Sequence, residues 1–233
     1  MPRTGINEKK EAARLIDAVK ARAEGFKRPV NIMEICGTHT MDISRYGLRR
    51  LLPKNINLIS GPGCPVCVCP IEEIDRAVEI SMMPGVITAT FGDMMRVPGT
   101  RETLNSAKMK GADIRVVYSP EDAVDMAAQN PEKKVVFLGI GFETTAPAVA
   151  VTVRDAKKKG IKNFFVLPMF KTVIPPMEAL LSDEALKLDG FIAPGHVSAI
   201  IGAKPYEYLT EKYKKPCVIT GFEALDILQA ILM

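Results

Sequence analysis

Most of the chemistry open to this 233-residue chain resides in five cysteines and two histidines. Three of the thiols crowd into Gly61-Pro62-Gly63-Cys64-Pro65-Val66-Cys67-Val68-Cys69-Pro70. Cys64 and Cys67 form a C-x-x-C, the spacing at which two sulfurs reach one metal or close a disulfide. Pro62, Pro65 and Pro70 stiffen the backbone, and Gly61 and Gly63 admit angles that other residues avoid. Adjacent thiols on a rigid loop suit preorganised chemistry. A single C-x-x-C cannot by itself build a closed four-cysteine zinc site, and spacing alone does not orient Cys69. The plain alternative is a tight turn with incidental cysteines.

Cys36 is followed by Gly37, Thr38 and His39. A helix starting near Thr38 or Thr40 would aim its free N–H groups at the thiol and favour the thiolate. His39 is near enough in sequence to orient a group or relay a proton. A buried cysteine acting as a small hydrophobe is the alternative, but the glycine after it points to an exposed turn. Gly141-Phe142-Glu143-Thr144-Thr145-Ala146-Pro147 resembles an anion-binding helix entry, with threonines to cap and Pro147 in the first turn. Glu143 is suited to act as a base or to hydrogen-bond a ligand, and simple capping of the next helix explains the motif equally well. His196 lies in Pro194-Gly195-His196-Val197-Ser198. Asp93 and Arg96 are spaced to pair. Cys217 and the methionine pairs Met82-Met83 and Met94-Met95 suit packing.

These residues share a context. Short apolar, β-branched runs alternate with amphipathic ones. Strands are predicted over 30–35, 56–60, 85–90, 114–118, 134–139, 163–167, 190–193 and 217–220. Helices are predicted over 8–24, 71–83, 100–110, 146–159 and 203–214. In the first helix Ala12, Leu15, Ile16 and Val19 fall on one face. Strand and helix in alternation predict an α/β fold with mostly parallel sheets. Ligands of such sheets bind beyond the strands' C-terminal ends, where both histidines and four of the cysteines fall. Echoes such as IRVVYSPEDAVDMA with PCVITGFEALDILQ predict two similar Rossmann-like halves, residues 1–130 and 131–233, with an active cleft between them. Any α/β chain shows some such echoes. The sequence ends inside an apolar helix begun at Phe222, which suggests a cut chain or a shortened family member.

Composition narrows the function. The net charge is +4, from 31 basic and 27 acidic residues. Lys157-Lys158-Lys159 and the lysines from Lys212 to Lys215 fall where helices end and complement their dipoles, so no nucleic-acid partner is expected. Tryptophan is absent, which argues against stacking surfaces. No apolar run approaches a membrane span, and the charged first 28 residues lack a signal core. A cytoplasmic location is expected, where crowded thiols serve metals or redox chemistry more than structural disulfides.

Taken together, the loops resemble the HypD family of nickel–iron hydrogenase maturation factors. The match is carried by CGTHT from Cys36, GPGCPVC from Gly61, FGDMMRVPG from Phe91, GFETTAP from Gly141 and PGHVSAIIG from Pro194. They occur in the family's order and cover most of the chain. The resemblance implies a scaffold with redox-active thiols rather than a conventional enzyme. It implies a one-to-one partnership with HypC, the two proteins holding iron while Fe(CN)2CO is assembled. HypE-like proteins would supply the cyanide, and the unit would pass through HypC to the hydrogenase large-subunit precursor. It makes Cys36 the iron ligand from this side, with His39 tuning it. Cys64 and Cys67 become the redox pair, and Asp93, Glu143, Thr144, Thr145 and His196 polar residues of the site. Two departures stand out. Met41 occupies a position where some members carry a second histidine. Members also continue into a cysteine-rich domain with a 4Fe–4S cluster, and no cysteine follows Cys217 here.

Other readings compete. A thiol–disulfide oxidoreductase would use Cys64 and Cys67. A nucleotide-binding domain would want G-x-G-x-x-G or a P-loop, and neither is present. A degenerate docking scaffold would need none of the thiols.

Overall fold

The computed structural model describes residues 5–183 and 185–233, so the first four residues of the charged N-terminal stretch lie outside it. In chain order the elements are α1 (Gly5–Ala23), β1 (Val30–Glu34), α2 (Gly37–Arg45), α3 (Leu48–Leu51), β2 (Ile56–Ser60), α4 (Ile71–Ser81) and β3 (Val86–Thr90). A 3-10 turn (Gly92–Arg96) precedes α5 (Leu104–Met109), β4 (Asp113–Val116), α6 (Pro120–Gln129), β5 (Lys134–Gly141), α7 (Ala146–Lys158) and β6 (Phe164–Phe170). Then come α8 (Ile174–Ser182), β7 (Gly190–Pro194), α9 (Gly195–Ile201), α10 (Lys204–Tyr213), β8 (Cys217–Thr220) and α11 (Ala224–Leu232). All eight predicted strands form. Proline, asparagine or glycine directly precedes β1 (Pro29), β2 (Asn55), β3 (Gly85), β6 (Asn163) and β8 (Pro216), marking where the extended backbone begins.

The strands pair parallel throughout, in two four-stranded sheets ordered β2-β1-β7-β8 and β4-β3-β5-β6. This is the expected α/β architecture of two Rossmann-like units. The units are not the halves that sequence order suggests. One comprises Met1–Cys64 with Thr172–Met233, and the other Pro65–Lys171. A division near residue 130 would separate β3 from β5, yet Val86 registers with Lys134 and Ala89 with Phe137. Parallel neighbours are joined by crossovers, so a strand's partner can lie far along the chain. Here the second unit is inserted between β2 and β7 of the first.

Both sheets use one connection scheme. From an inner strand the chain steps outward to an edge (β1 to β2, β3 to β4). It later steps from the other inner strand to the opposite edge (β7 to β8, β5 to β6). The direction reverses between β1 and β7 in one unit and between β3 and β5 in the other. At such reversals the loops diverge and leave a crevice.

Inner strands β3 and β7 are buried along their whole length, as expected where helices cover both faces of a parallel sheet. In the second unit β5 serves two cores. Val135 and Phe137 pack with Ala123, Ala127 and Val149 of α6 and α7. Leu138 and Ile140 pack with Ile74, Ala77, Leu104 and Ala107 of α4 and α5. In the first unit Val19 and Ala23 of α1 join Ile43, Leu48, Ile192, Ile227 and Leu228. Capping boxes start α5 (Thr103 with Ser106) and α6 (Ser119 with Asp122). Met94 and Met95 are buried as expected, whereas Met82 and Met83 are exposed past the end of α4.

Candidate functional site

In the first unit every strand points the same way, so the loops after β1, β2, β7 and β8 gather at one sheet edge. Those loops carry Cys36, Cys64, His196 and Phe222. The β1 and β7 loops flank the reversal of strand order.

Cys36 is the N-cap residue of α2, which starts at Gly37, one residue before the expected range. The exposed turn is not observed: Cys36 is only 7% accessible. The Gly61–Cys64 turn accounts for this. The Gly37 N–H donates to the Gly63 carbonyl at 3.1 Å, and the Gly61 N–H donates to the Glu34 carbonyl at 2.9 Å. A Cβ on Gly63 would stand 2.6 Å from Cα and C of Cys36 and from N of Gly37. Only glycine permits that approach. A Cβ on Gly37 would lie 4.0 Å from the Cys64 Cβ, so Cys64 starts beside the first turn of α2. The two cysteine motifs, 28 positions apart in sequence, are therefore one packed unit of backbone.

Beneath them lies Glu34, fully buried on β1. Its Oε1 accepts from Thr40 Oγ1 at 3.1 Å, Ser60 Oγ at 3.0 Å and Arg49 Nη2 at 3.1 Å. These partners belong to α2, β2 and α3, so one carboxyl ties together the supports of both loops. Oε2 is buried with no hydrogen-bond partner. Burial pushes the Glu34 pKa up, against the hydrogen bonds and Arg49, which lower it.

His39 is inaccessible to solvent. Its Nε2 lies 2.8 Å from the Gly221 carbonyl, and a carbonyl only accepts, so Nε2 carries the hydrogen and Nδ1 keeps a lone pair. Nδ1 is buried without a hydrogen-bond partner. The imidazole rests against Phe222 with centroids 4.5 Å apart, and Phe222 in turn meets His196 at 5.0 Å. Burial lowers the His39 pKa; the Gly221 bond opposes this and His196 adds to it. His196, in the first turn of α9, is exposed on one side, and the side that is buried lowers its pKa. The structure thus links both histidines through an aromatic ring.

The second unit holds most of the other expected residues, Cys67 and Cys69 ahead of α4 and the rest at its own strand ends. Cys67 is exposed and Cys69 half-buried in the turn before α4. Glu143 and Thr145 are half-buried and Thr144 is exposed ahead of α7. The expected threonine cap is not made. Thr145, at the N-cap position, already has helical angles and makes no side-chain cap bond, while Pro147 sits in the first turn as expected. Asp93 does not pair with Arg96: its Oδ1 accepts from the Met94 N–H at 3.0 Å. Both charges are exposed, where an ion pair gains little. In the first unit half-buried Cys217 opens β8, and burial pushes its thiol up to about 12.

A family model described as "Hydrogenase formation hypA family", HypD, matches residues 10–233. The chain belongs to the HypD family. It is 52% identical over 223 residues to the hydrogenase maturation factor HypD of Rhodobacter capsulatus, covering 96% of this chain and 58% of that protein. It is 47% identical over 227 residues to HypD of Escherichia coli (strain K12), covering 96% and 61%. With HypD2 of Bradyrhizobium diazoefficiens the identity is 48% over 235 residues, covering 98% and 62%. The chain thus spans about three-fifths of the length of these relatives.

Within that HypD framework, no three Cys, His, Asp or Glu side chains converge on a metal position among the described residues. A 4Fe–4S cluster needs four thiolates at one place, and these residues do not fit one. No described helix is long and apolar enough to cross a membrane.

The sequence reading missed Glu34, Arg49 and Phe222. Glu34 carried a signal, a lone carboxylate inside an apolar strand, since burial of a charge requires partners. Phe222 follows β8 as the other site residues follow β1, β2 and β7, so the same strand-end rule would have found it.

Proposed function

We propose that this chain is the thiol-bearing side of an iron-assembly scaffold for hydrogenase maturation. Iron is the cargo. Cys36 supplies one thiolate, and a HypC-type partner bound one to one supplies the second. Two cyanides, delivered by a HypE-type protein, and one carbon monoxide complete Fe(CN)2CO, which passes through HypC to the hydrogenase large-subunit precursor. Such strong-field ligands favour low-spin iron, and soft thiolates suit that centre. The work belongs to the cytoplasm, whose reducing poise keeps the thiols available.

The packing of the Gly61–Cys64 turn onto Cys36 and Gly37 carries this reading. It supports a preorganised thiol with a second cysteine beside it, and His39 next along the helix with an unprotonated Nδ1. In this role His39 orients the site or holds a proton, and Cys64 with Cys67 exchanges electrons through a disulfide. His196 bounds the site through Phe222. Glu143, Thr144, Thr145 and Asp93 are polar residues of the second unit, in the loops after β3 and β5 where its strand order reverses. The oxidoreductase reading is less well supported. Cys67 lies in a turn four residues before α4, not in the helix-start position that activates such thiols.

Anaerobic co-purification with the host's HypC tests the proposal. A one-to-one complex carrying iron is expected, with Cys36→Ser retaining HypC and losing the metal. A Cys36→Ser complex that keeps its full iron content rules out Cys36 as the ligand.

A further inference from the structure

A redox pair uses two thiols, yet the loop carries three. Taking Cys64 and Cys67 as that pair, as proposed above, leaves Cys69 to be explained. Cys69 is half-buried and packs on the second unit's core beside Val66. Its Sγ donates to Glu73 Oε2 at 3.2 Å. Glu73 lies in the first turn of α4, four positions on. Both of its oxygens accept from Lys171 Nζ, at 3.1 and 3.0 Å. Lys171 follows β6, and its N–H donates to the Gly141 carbonyl at 2.9 Å. The ammonium is therefore anchored at the sheet end, the carboxylate on the ammonium, and the thiol on the carboxylate.

We propose that Glu73 keeps Cys69 as a spectator thiol and so confines disulfide formation in this loop to Cys64 and Cys67. Glu73 is the positioning residue. Ionising Cys69 would break its hydrogen bond and set a thiolate against a carboxylate. Burial and Glu73 together push this thiol up to about 12, with Lys171 opposing. At pH 8 the thiolate fraction is then on the order of one in 10,000, against about a quarter for an ordinary thiol of pKa about 8.5. The more basic thiolate is the better nucleophile, which returns a factor of roughly 40. Cys69 should thus react about 50-fold more slowly than an ordinary thiol. Without this restraint, three thiols within six positions could close three different bridges, two of which would sequester a member of the redox pair.

The test uses the whole chain, with Glu73→Gln and Lys171→Met beside it. Reduced protein is pulsed with iodoacetamide at pH 8, and the rate at each cysteine is read by peptide mass mapping against a model thiol peptide. Oxidised glutathione is then added. Two thiols become one S–S bond, and two electrons and two protons pass to the oxidant, giving two reduced glutathiones. In the parent, Cys69 is expected to lag the model thiol about 50-fold, and the bridge to join Cys64 and Cys67. Glu73→Gln should speed Cys69 severalfold, burial keeping the rest of the restraint, and admit bridges containing it. Lys171→Met should leave Cys69 as slow or slower, because the carboxylate stays and the opposing cation is gone. General loosening would move both variants the same way. The proposal is overturned if Cys69 in the parent matches the model thiol, if Glu73→Gln leaves its rate unchanged, or if Lys171→Met accelerates it equally. A slow Cys69 released by Glu73→Gln, with no Cys64–Cys67 bridge in the parent, supports the restraint and overturns the redox-pair reading beneath it.

Discussion

Adding one methyl group at Gly63 would place a Cβ 2.6 Å from three backbone atoms of Cys36 and Gly37, where ordinary contact begins at 3.4 Å. The backbone there must yield by roughly 0.8 Å, the difference between those distances. None of the three atoms belongs to a side chain that could rotate away. Overpacking of this kind costs about 1–3 kcal/mol, and the rigid neighbours argue for the upper end. That is a large part of the roughly 5–15 kcal/mol that holds a protein folded. With a urea dependence of about 2 kcal/mol per molar, Gly63→Ala should lower the unfolding midpoint by roughly 1–1.5 M. Gly25→Ala is the control. Its new Cβ would meet only the Arg22 carbonyl at 3.5 Å, and its effect should stay within about 0.5 kcal/mol. Urea titration followed by circular dichroism measures both. Equal midpoints for the two variants would mean that the turn does not lie on the Cys36 backbone, and the packing that supports the proposed function would be wrong.

Two further outcomes follow from the buried groups. Glu34→Ala leaves Thr40 and Ser60 without their shared acceptor, while partly exposed Arg49 can turn to water, and should cost about 1–3 kcal/mol, whereas Glu34→Gln keeps an acceptor and should cost clearly less. Because burial raises the Glu34 pKa, its contribution is greatest at low pH and is lost as pH rises through the raised value. The parent's advantage over Glu34→Gln in urea unfolding should therefore shrink from pH 4.5 to pH 7.5. For His39 the sign is opposite. Its pKa is lowered from 6.5, so the unfolded chain takes up a proton that the folded one refuses. Stability falls as pH drops below that value, by at most about 1.4 kcal/mol per pH unit for this group. Thermal melts at pH 7.5 and 5.5 should show a smaller difference in His39→Gln than in the parent.

The strands were legible because short apolar runs, β-branched in Val86–Thr90 and apolar in Phe191–Ala193, stand between turn-forming residues. The site loops were legible because parallel strands deliver their C-terminal ends to one edge, which made Cys36, Cys64 and His196 candidates together. Strand partnership was not legible. Nothing local in Phe191-Ile192-Ala193 says that it hydrogen-bonds β1 across an inserted unit. Burial of Cys36 was also hidden, since it depends on a turn 25 residues away fitting against its backbone. The threonine cap failed for a local reason, because Thr145 had already entered the helix and its hydroxyl could not reach back. Side-chain partnerships over long separations, such as Glu73 with Lys171, were beyond any pattern in the chain.

An infrared spectrum tests the central claim most directly. This chain would be co-expressed with the host's HypC and the cyanide-supplying partners, purified without oxygen, and compared with Cys36→Ala prepared identically. Cyanide and carbonyl stretches in the parent, absent from Cys36→Ala, are the predicted result, and they would establish iron assembly dependent on that thiolate. Bands of equal intensity in both proteins would contradict it, because the iron would then be held without Cys36.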